Sequence, residues 1–356
     1  MSSIKRIPAT GQWRARYRDA NGKEHAKHFA RKVDGQNWLD EVTAAVATGT
    51  YVDPKNNRVT LREYATSWQA SHLGRAATQR IVDNALRLHI LPRLGDRTIA
   101  SLRRSDAQSL VTAMAATHAP PTVEGVYSVL ARVLAAAVDD RIIVVTPCVR
   151  VKLPKSVGVE IRPATVAEVM TMADAVDDRY RAAVIMLAGS GLRIGELLGL
   201  KVSDVDFLRR AVRVERQRGS DTGKIGPPKT PKSVRTVPLG QVVLDELAHH
   251  LAAYPSREWL FTTADGGPLF YRAWQYGWDK ARAEVGLTTD THDLRHFFAS
   301  ALISGGASVK QVQTTLGHSS AVTTLQIYAH MWPGDDDRTR GVIDNILGST
   351  AGEATA

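Results

Sequence analysis

The sequence predicts a multidomain α+β protein: a small three-stranded sheet plus helix, then a helical bundle, then a mixed, mainly helical domain with a small antiparallel sheet. Three observations predict it. The 356 residues exceed what one core organises, since domains run to about 150 residues. Period-2 alternation opens the chain, helical stripes follow, and the two are mixed beyond residue 163. Pro147, Pro154 and Gly158 interrupt all periodicity over residues 147 to 162, the best linker. The expected segments are therefore 1–58, 59–155 and 163–347, with 348–356 as a disordered tail.

In the first segment Trp13, Ala15 and Tyr17 alternate with Arg14, Arg16 and Arg18, so the spacing predicts a strand with one basic face. Asn21-Gly22 supplies a tight hairpin turn, Glu24 to Phe29 the return strand, and Asp34 to Thr48 a helix ended by Gly49. This module is either a binding unit or a packing appendage of the next domain. Capping boxes at Thr60-Glu63 and Ser105-Gln108 open bundle helices, and further helical patterns cover Thr78 to Ile90 and Thr122 to Val138. The third segment starts with a Thr165-Glu168 box. It continues with helices near 166–176 and 180–188, strands at Val212–Val214 and Val234–Leu239 flanking the polar stretch Ser220 to Lys232, and helices at 241–252, 270–285, 293–303 and 308–316.

Hydrophobic residues make up 44% and charged residues 23%, which excludes collagen-like, disordered and coiled-coil chains. The longest apolar run, Ala182 to Ala188, is far short of the roughly 20 residues of a membrane span. No apolar segment follows the basic N-terminus, so a cytoplasmic protein without a membrane partner is expected. Cys148 is the only cysteine, which excludes an intramolecular disulfide and a cysteine-rich zinc module. The net charge is +10, and its excess lies early: 11 Lys/Arg against 6 Asp/Glu in residues 1–58, 13 against 7 in 59–158, and 22 against 23 beyond. A polyanionic partner is implied, with a merely solvated basic surface as the alternative.

Four features of the third segment carry chemistry. Gly189-Ser190-Gly191-Leu192-Arg193-Ile194-Gly195-Glu196-Leu197 delivers Arg193 at a helix start, where free N–H groups favour an anion, although the glycines match neither a Walker loop nor a dinucleotide fingerprint. Pro228-Lys229-Thr230 lies in a basic loop with Lys224 and Lys232. His292-Asp293-Leu294-Arg295-His296 sets His292, Arg295 and His296 along one side of a helix; the His292/His296 spacing also matches zinc peptidases, but Asp293 stands where their glutamate would be and Arg295 would face the metal. Leu316-Gly317-His318 is followed ten positions later by Tyr328.

Taken in this order, the four features resemble the tyrosine recombinases, the phage-type integrase family. The family pattern is met by Arg193, Lys229, His292, Arg295, His318 and Tyr328. More weakly, the N-terminal module resembles an arm-type DNA-binding domain and the bundle a core-binding, SAM-like domain, so that Arg14, Arg16, Arg18, Lys152 and Lys155 are the expected DNA contacts. The resemblance implies that Tyr328 attacks a DNA phosphodiester, Arg193 and Arg295 clamp its oxygens, Lys229 is the general acid, His292 assists proton transfer and His318 hydrogen-bonds the phosphate. Glu196 is expected to orient the cluster, or else to be an ordinary surface carboxylate. Neither metal nor ATP is called for, because the arginines supply the positive charge. The implied partners are double-stranded DNA with core-type and arm-type sites, a homotetramer on DNA, and an accessory bending protein or excisionase. Alternatives are a type IB topoisomerase-like enzyme, a zinc metallohydrolase built on His292 and His296, and a non-catalytic DNA-binding regulator. Beyond Tyr328, Asp335, Asp336 and Asp337 followed by Val342, Ile343, Ile346 and Leu347 read as a short helix that docks either on its own domain or on a neighbouring subunit.

Overall fold

A computed structural model describes residues 2–19, 22–48, 51–53, 56, 58–71, 74, 76–155, 162–220, 223–228, 233–332, 340–341 and 344. The chain divides into two compact units, residues 1–158 and 159–356. Lys229, Lys232, Asn21, Gly49, the apolar stripe and aspartates of the C-terminal segment, and the tail from 348 lie outside the described residues.

The first unit opens with an antiparallel sheet of β1 (Ser3–Arg6), β2 (Trp13–Arg18) and β3 (Glu24–Phe29), in that spatial order. Alternation along β2 turns Ala15 and Tyr17 inward, where they bury with Leu39 of α1 (Lys32–Ala47). The opposite face carries the arginines. In the register, Arg14 stands between Lys5 and His28, and Arg16 reaches Glu24 at 3.4 Å. Gly22, with φ of 79°, takes the left-handed turn between β2 and β3.

The bundle is formed by α2 (Leu61–Ser71), α3 (Ala76–Asn84), α4 (Leu91–Leu94), α5 (Arg104–Ala115) and α6 (Pro120–Asp139). The Thr60 box forms as expected: the Thr60 N–H donates to Glu63 Oε2 at 2.9 Å and the Glu63 N–H to Thr60 Oγ1 at 3.2 Å. The Ser105-Gln108 box does not form. Asp106 instead accepts from the Arg103 N–H at 2.8 Å, a carboxylate being the stronger acceptor, and the Gln108 amide bridges the backbone of Lys152. The single helix expected over 78–90 is wound as a π-helix from Ala85 to Ile90, just ahead of Pro92, which has no N–H to donate. By length and composition α6 could cross a membrane, but Val123, Val126, Val129, Leu130, Val133, Leu134 and Ala137 are buried in the bundle core. Lys152 and Lys155 are exposed beyond it.

In the second unit α7 (Val166–Ala175) is capped by Thr165, whose Oγ1 accepts from the Glu168 N–H at 3.2 Å. The apolar run Ala182 to Ala188 lies in α8 (Asp178–Ser190), buried on every side because α8 is the central helix. A single turn, α9 (Ile194–Leu197), follows. The sheet has the order β4 (Val205–Asp206), β5 (Ala211–Val214), β8 (Arg235–Pro238), with Val212 opposite Val237. Between the two expected strands, β6 (Gln217–Arg218) and β7 (Ile225–Gly226), the latter inside the stretch read only as polar, pair as an extra hairpin, too short to show periodicity. Then come α10 (Gln241–Ala253), α11 (Tyr271–Val285), α12 (Asp293–Ser304), α13 (Val309–Leu316) and α14 (Ala321–Tyr328), the last of which the sequence pattern did not reveal. Helices α7, α10 and α12 pack on α8.

Candidate active site

The site is assembled where α8 ends. Gly191 caps that helix with φ of 62°, and a Cβ there would stand 2.4 Å from Phe298 and 2.9 Å from Leu316. Glycine alone lets the chain turn this closely against α12 and α13. Two residues later Arg193 is the N-cap of α9. Its N–H is not free for an anion as the glycine-rich turn suggested: it donates to Glu196 Oε2 at 3.0 Å, while Arg193 Nη1 donates to Glu196 Oε1 at 2.9 Å.

Glu196 is only 1% exposed, so it is no surface carboxylate. Its second partner is Arg235, whose Nη2 and Nη1 lie 2.9 and 3.2 Å from the two carboxylate oxygens. Arg235 also donates from Nε to Thr315 O at 2.7 Å, and a Cβ at Gly317 would be 3.0 Å from its guanidinium. The sequence reading missed this arginine. A signal existed, because Arg235 shares the inward face of β8 with Val237, and a charge on an apolar strand face needs a buried partner.

From α12 come three further groups. Arg295, 2% exposed, spans two helix ends, donating from Nη1 to Gly191 O and from Nη2 to Leu316 O at 2.7 Å. His292 and His296 lie a turn apart, with ring centroids 4.9 Å apart and planes nearly perpendicular. His296 Nδ1 is 2.7 Å from the Tyr328 hydroxyl, which closes α14. Tyr328 is 1% exposed, enclosed with Phe298, Ala299, Ile303 and Leu316. His318, after the α13 cap, has Nδ1 2.8 Å from Thr324 Oγ1, a fully buried hydroxyl.

The electrostatics are those of a crowded cationic pocket. Burial pushes Tyr328 up to about 12, against the pull of Arg295 and Arg193. Burial and then the Arg193 charge lower Arg295 to about 9. His318 is pushed down to about 4 by burial, with Arg295, Arg193 and Arg235 adding to it. His292 is lowered by the dry inner side of its ring and then by His296, Arg295 and Arg193; its outer side is open to solvent, which tempers the shift. Burial would raise Glu196, but Arg235 and Arg193 hold it below the ordinary carboxylate value. Three guanidiniums thus face one carboxylate among neutral imidazoles, an arrangement suited to an oxyanion with several charged oxygens.

The structure therefore brings together Arg193, Glu196, His292, Arg295, His318 and Tyr328, while Lys229 is outside the described residues. Arg14, Arg16, Arg18, Lys152 and Lys155 belong to the other unit. The zinc reading of His292 and His296 is not favoured, since His296 Nδ1 is engaged by Tyr328 and both imidazoles sit beside Arg295. Among the described residues, the group that meets ligand spacing is Asp19, His25 and Asp53 in the first unit, where Asp53 is paired with Lys23 and Asp19 with His25. Tyr271 and Tyr276 lie on α11.

The pattern of the phage integrase family matches residues 161–333. A prophage phiRv2 integrase of Mycobacterium tuberculosis is 28% identical over 369 residues, covering 95% of this chain and 93% of its own length. Tyrosine recombinase XerD of the same organism is 31% identical over 277 residues, covering 68% of this chain and 81% of its own length. Among solved structures, the Tn1549 transposon integrase in complex with transposon right end DNA shares the fold, with a TM-score of 0.71 at 24% identity over 81% of this chain and all of that one. Full-length likeness of this kind, joined to a pocket holding the arginines, histidines and tyrosine in the expected order, establishes that the chain belongs to the phage integrase family, the tyrosine recombinases, which break and rejoin DNA.

Proposed function

We propose that this recombinase integrates or excises a phage or other mobile element, with Tyr328 as nucleophile. The Tyr328 oxygen attacks a phosphorus of duplex DNA, the bond to the 5′ oxygen breaks, and a 3′-phosphotyrosine conserves the energy for rejoining. Arg193 and Arg295 face the nonbridging oxygens, where charge builds in the transition state. His318, its Nδ1 committed to Thr324, offers Nε2 to the phosphate, and Lys229 protonates the departing 5′ oxygen. Glu196 and Arg235 are positioning residues that fix Arg193. The observation that carries the reading is the Tyr328 hydroxyl in the field of Arg193 and Arg295.

Residues 1–58 would serve as the arm-type domain, with Arg14, Arg16 and Arg18 on DNA, residues 59–155 as the core-binding domain with Lys152 and Lys155 beside it, and 163–347 as the catalytic domain. Assembly is as a homotetramer on two duplexes, and an accessory bending protein or excisionase sets direction. The test is adduct mapping: the full chain is incubated with labelled genomic fragments and covalent protein–DNA species are sequenced. Tyr328→Phe should bind the same fragments without forming adduct. Adduct in that variant would move the nucleophile to Tyr271 or Tyr276.

A further inference from the structure

Tyr328 Oη and His296 Nδ1 are 2.7 Å apart, their rings 5.6 Å apart at 65°, with the tyrosine 1% exposed and the imidazole half-buried. Among the described residues His296 is the hydrogen-bond partner of that hydroxyl; His292, the residue expected to assist proton transfer, touches the His296 ring instead. The placement follows from α12 and α14 themselves. One helical turn separates the two histidines, and Tyr328 ends α14 where Trp332, bonded through Nε1 to Ala307 O at 3.3 Å, ties the next turn back to the link between α12 and α13.

We infer that His296 takes the Tyr328 proton as that oxygen attacks phosphorus and returns it when the strand is resealed. The inference rests on the reading of Tyr328 as nucleophile. In the forward step the Oη–P bond forms, the P–O5′ bond breaks, the hydroxyl proton passes to Nδ1, and the 5′ oxygen is protonated by the general acid on its own side. Resealing runs the same transfers backwards, with the imidazolium protonating the departing tyrosine. A buried phenol near pH 7 is protonated, so it needs an acceptor within hydrogen-bond reach, and a neutral imidazole has a free ring nitrogen to offer. The charged and titratable groups facing His296 are Asp293 and Arg295 of its own helix, His292 one turn before and Tyr328 of α14, while Arg193 acts on His292 and Tyr328 beside it. Burial opposes the imidazolium most, Asp293 favours it and Arg295 opposes it, so the proton is accepted for the length of the step and not stored.

The experiment measures single-turnover adduct formation by the full chain on a mapped, nicked DNA site. His296→Asn keeps a hydrogen-bond acceptor near the Nδ1 position but has no basic nitrogen; it should bind DNA normally and cleave about 100-fold more slowly. His296→Ala should be equally slow and regain cleavage when imidazole is added, a rescue that a purely structural role would not give. Replacing Tyr328 by a fluorotyrosine of lower pKa should shrink the His296→Asn defect. Cleavage by His296→Asn at or above the wild-type rate would overturn the inference, as would slow His296→Ala that imidazole does not rescue. Tyr328→Phe is assayed in parallel: adduct there refutes the nucleophile reading itself, whereas its absence leaves the histidine outcomes decisive.

Discussion

Arg235 grips Glu196 with both Nη atoms, at 2.9 and 3.2 Å, and the two side chains are 5% and 2% exposed. The pair joins β8 to α9 and so sets the position of Arg193. Breaking a buried pair strands a charge, which costs about 3–5 kcal/mol. Arg235→Met should therefore lower unfolding free energy toward the lower end of that range, because Glu196 keeps Arg193. Urea denaturation checks it, and a Glu196→Gln, Arg235→Met double variant should lose less than the sum of its parts. Since Glu196 is depressed in the folded state, its stabilisation is present above the unfolded value of about 4.3 and is lost as pH falls through the folded value. The gap between wild type and Glu196→Gln should close in acid.

Arg193→Lys and Arg295→Lys should each reduce adduct formation by on the order of 100-fold or more with charge unchanged, because an ammonium cannot make the planar fork contact. Excess EDTA should leave wild-type activity as it is. Activity lost in EDTA and restored by Zn²⁺ would revive a metal role for the histidines.

His318 titrates in a defined window. Its folded value of about 4 lies below the ordinary 6.5, so the unfolded chain binds the extra proton between them. Stability is full above about 6.5 and falls as pH drops toward 4. Thermal melts of His318→Gln should show a shallower acid decline than wild type over that interval, and parallel curves would refute the assignment.

Replacing Arg14, Arg16 and Arg18 together by Gln should weaken binding to an accessory DNA site while a core site is still cleaved. The salt dependence of binding should also flatten, by about 0.9 in slope for each phosphate that the arginines no longer neutralise. Arg16 is already paired with Glu24, so it should contribute least of the three. Filter binding across a potassium chloride series measures both.

Much of the catalytic unit was legible because its signals are local. A capping box is read within four residues, and so Thr165-Glu168 was found; Arg193, His292, Arg295, His318 and Tyr328 each sit in a recognisable short context. Arg235 was not found, since its partner Glu196 is 39 positions away and only the fold joins them. The Tyr328–His296 bond, 32 positions apart, was missed for the same reason. Strands of two residues, as in β6 and β7, cannot display a period. At the start of α5 two side chains competed for one cap, and spacing alone does not say that Asp106 wins while Gln108 turns to Lys152.

Of the three guanidiniums at the site, two lean on a carboxylate and one on the ends of α8 and α13. The carbonyls of Gly191 and Leu316 hold Arg295 with fractional dipoles, which grip without cancelling its charge. A single side chain is thereby both strut and live electrode. Among the described residues two of its five N–H donors are spent on the grip, and its potential stays available to whatever anion arrives. Were evolution to replace that dipolar cradle by an acid, the architecture could survive intact while the field across the pocket was quenched. The fold and the voltage of this site can be altered separately, and Arg295 is where the two are wired together.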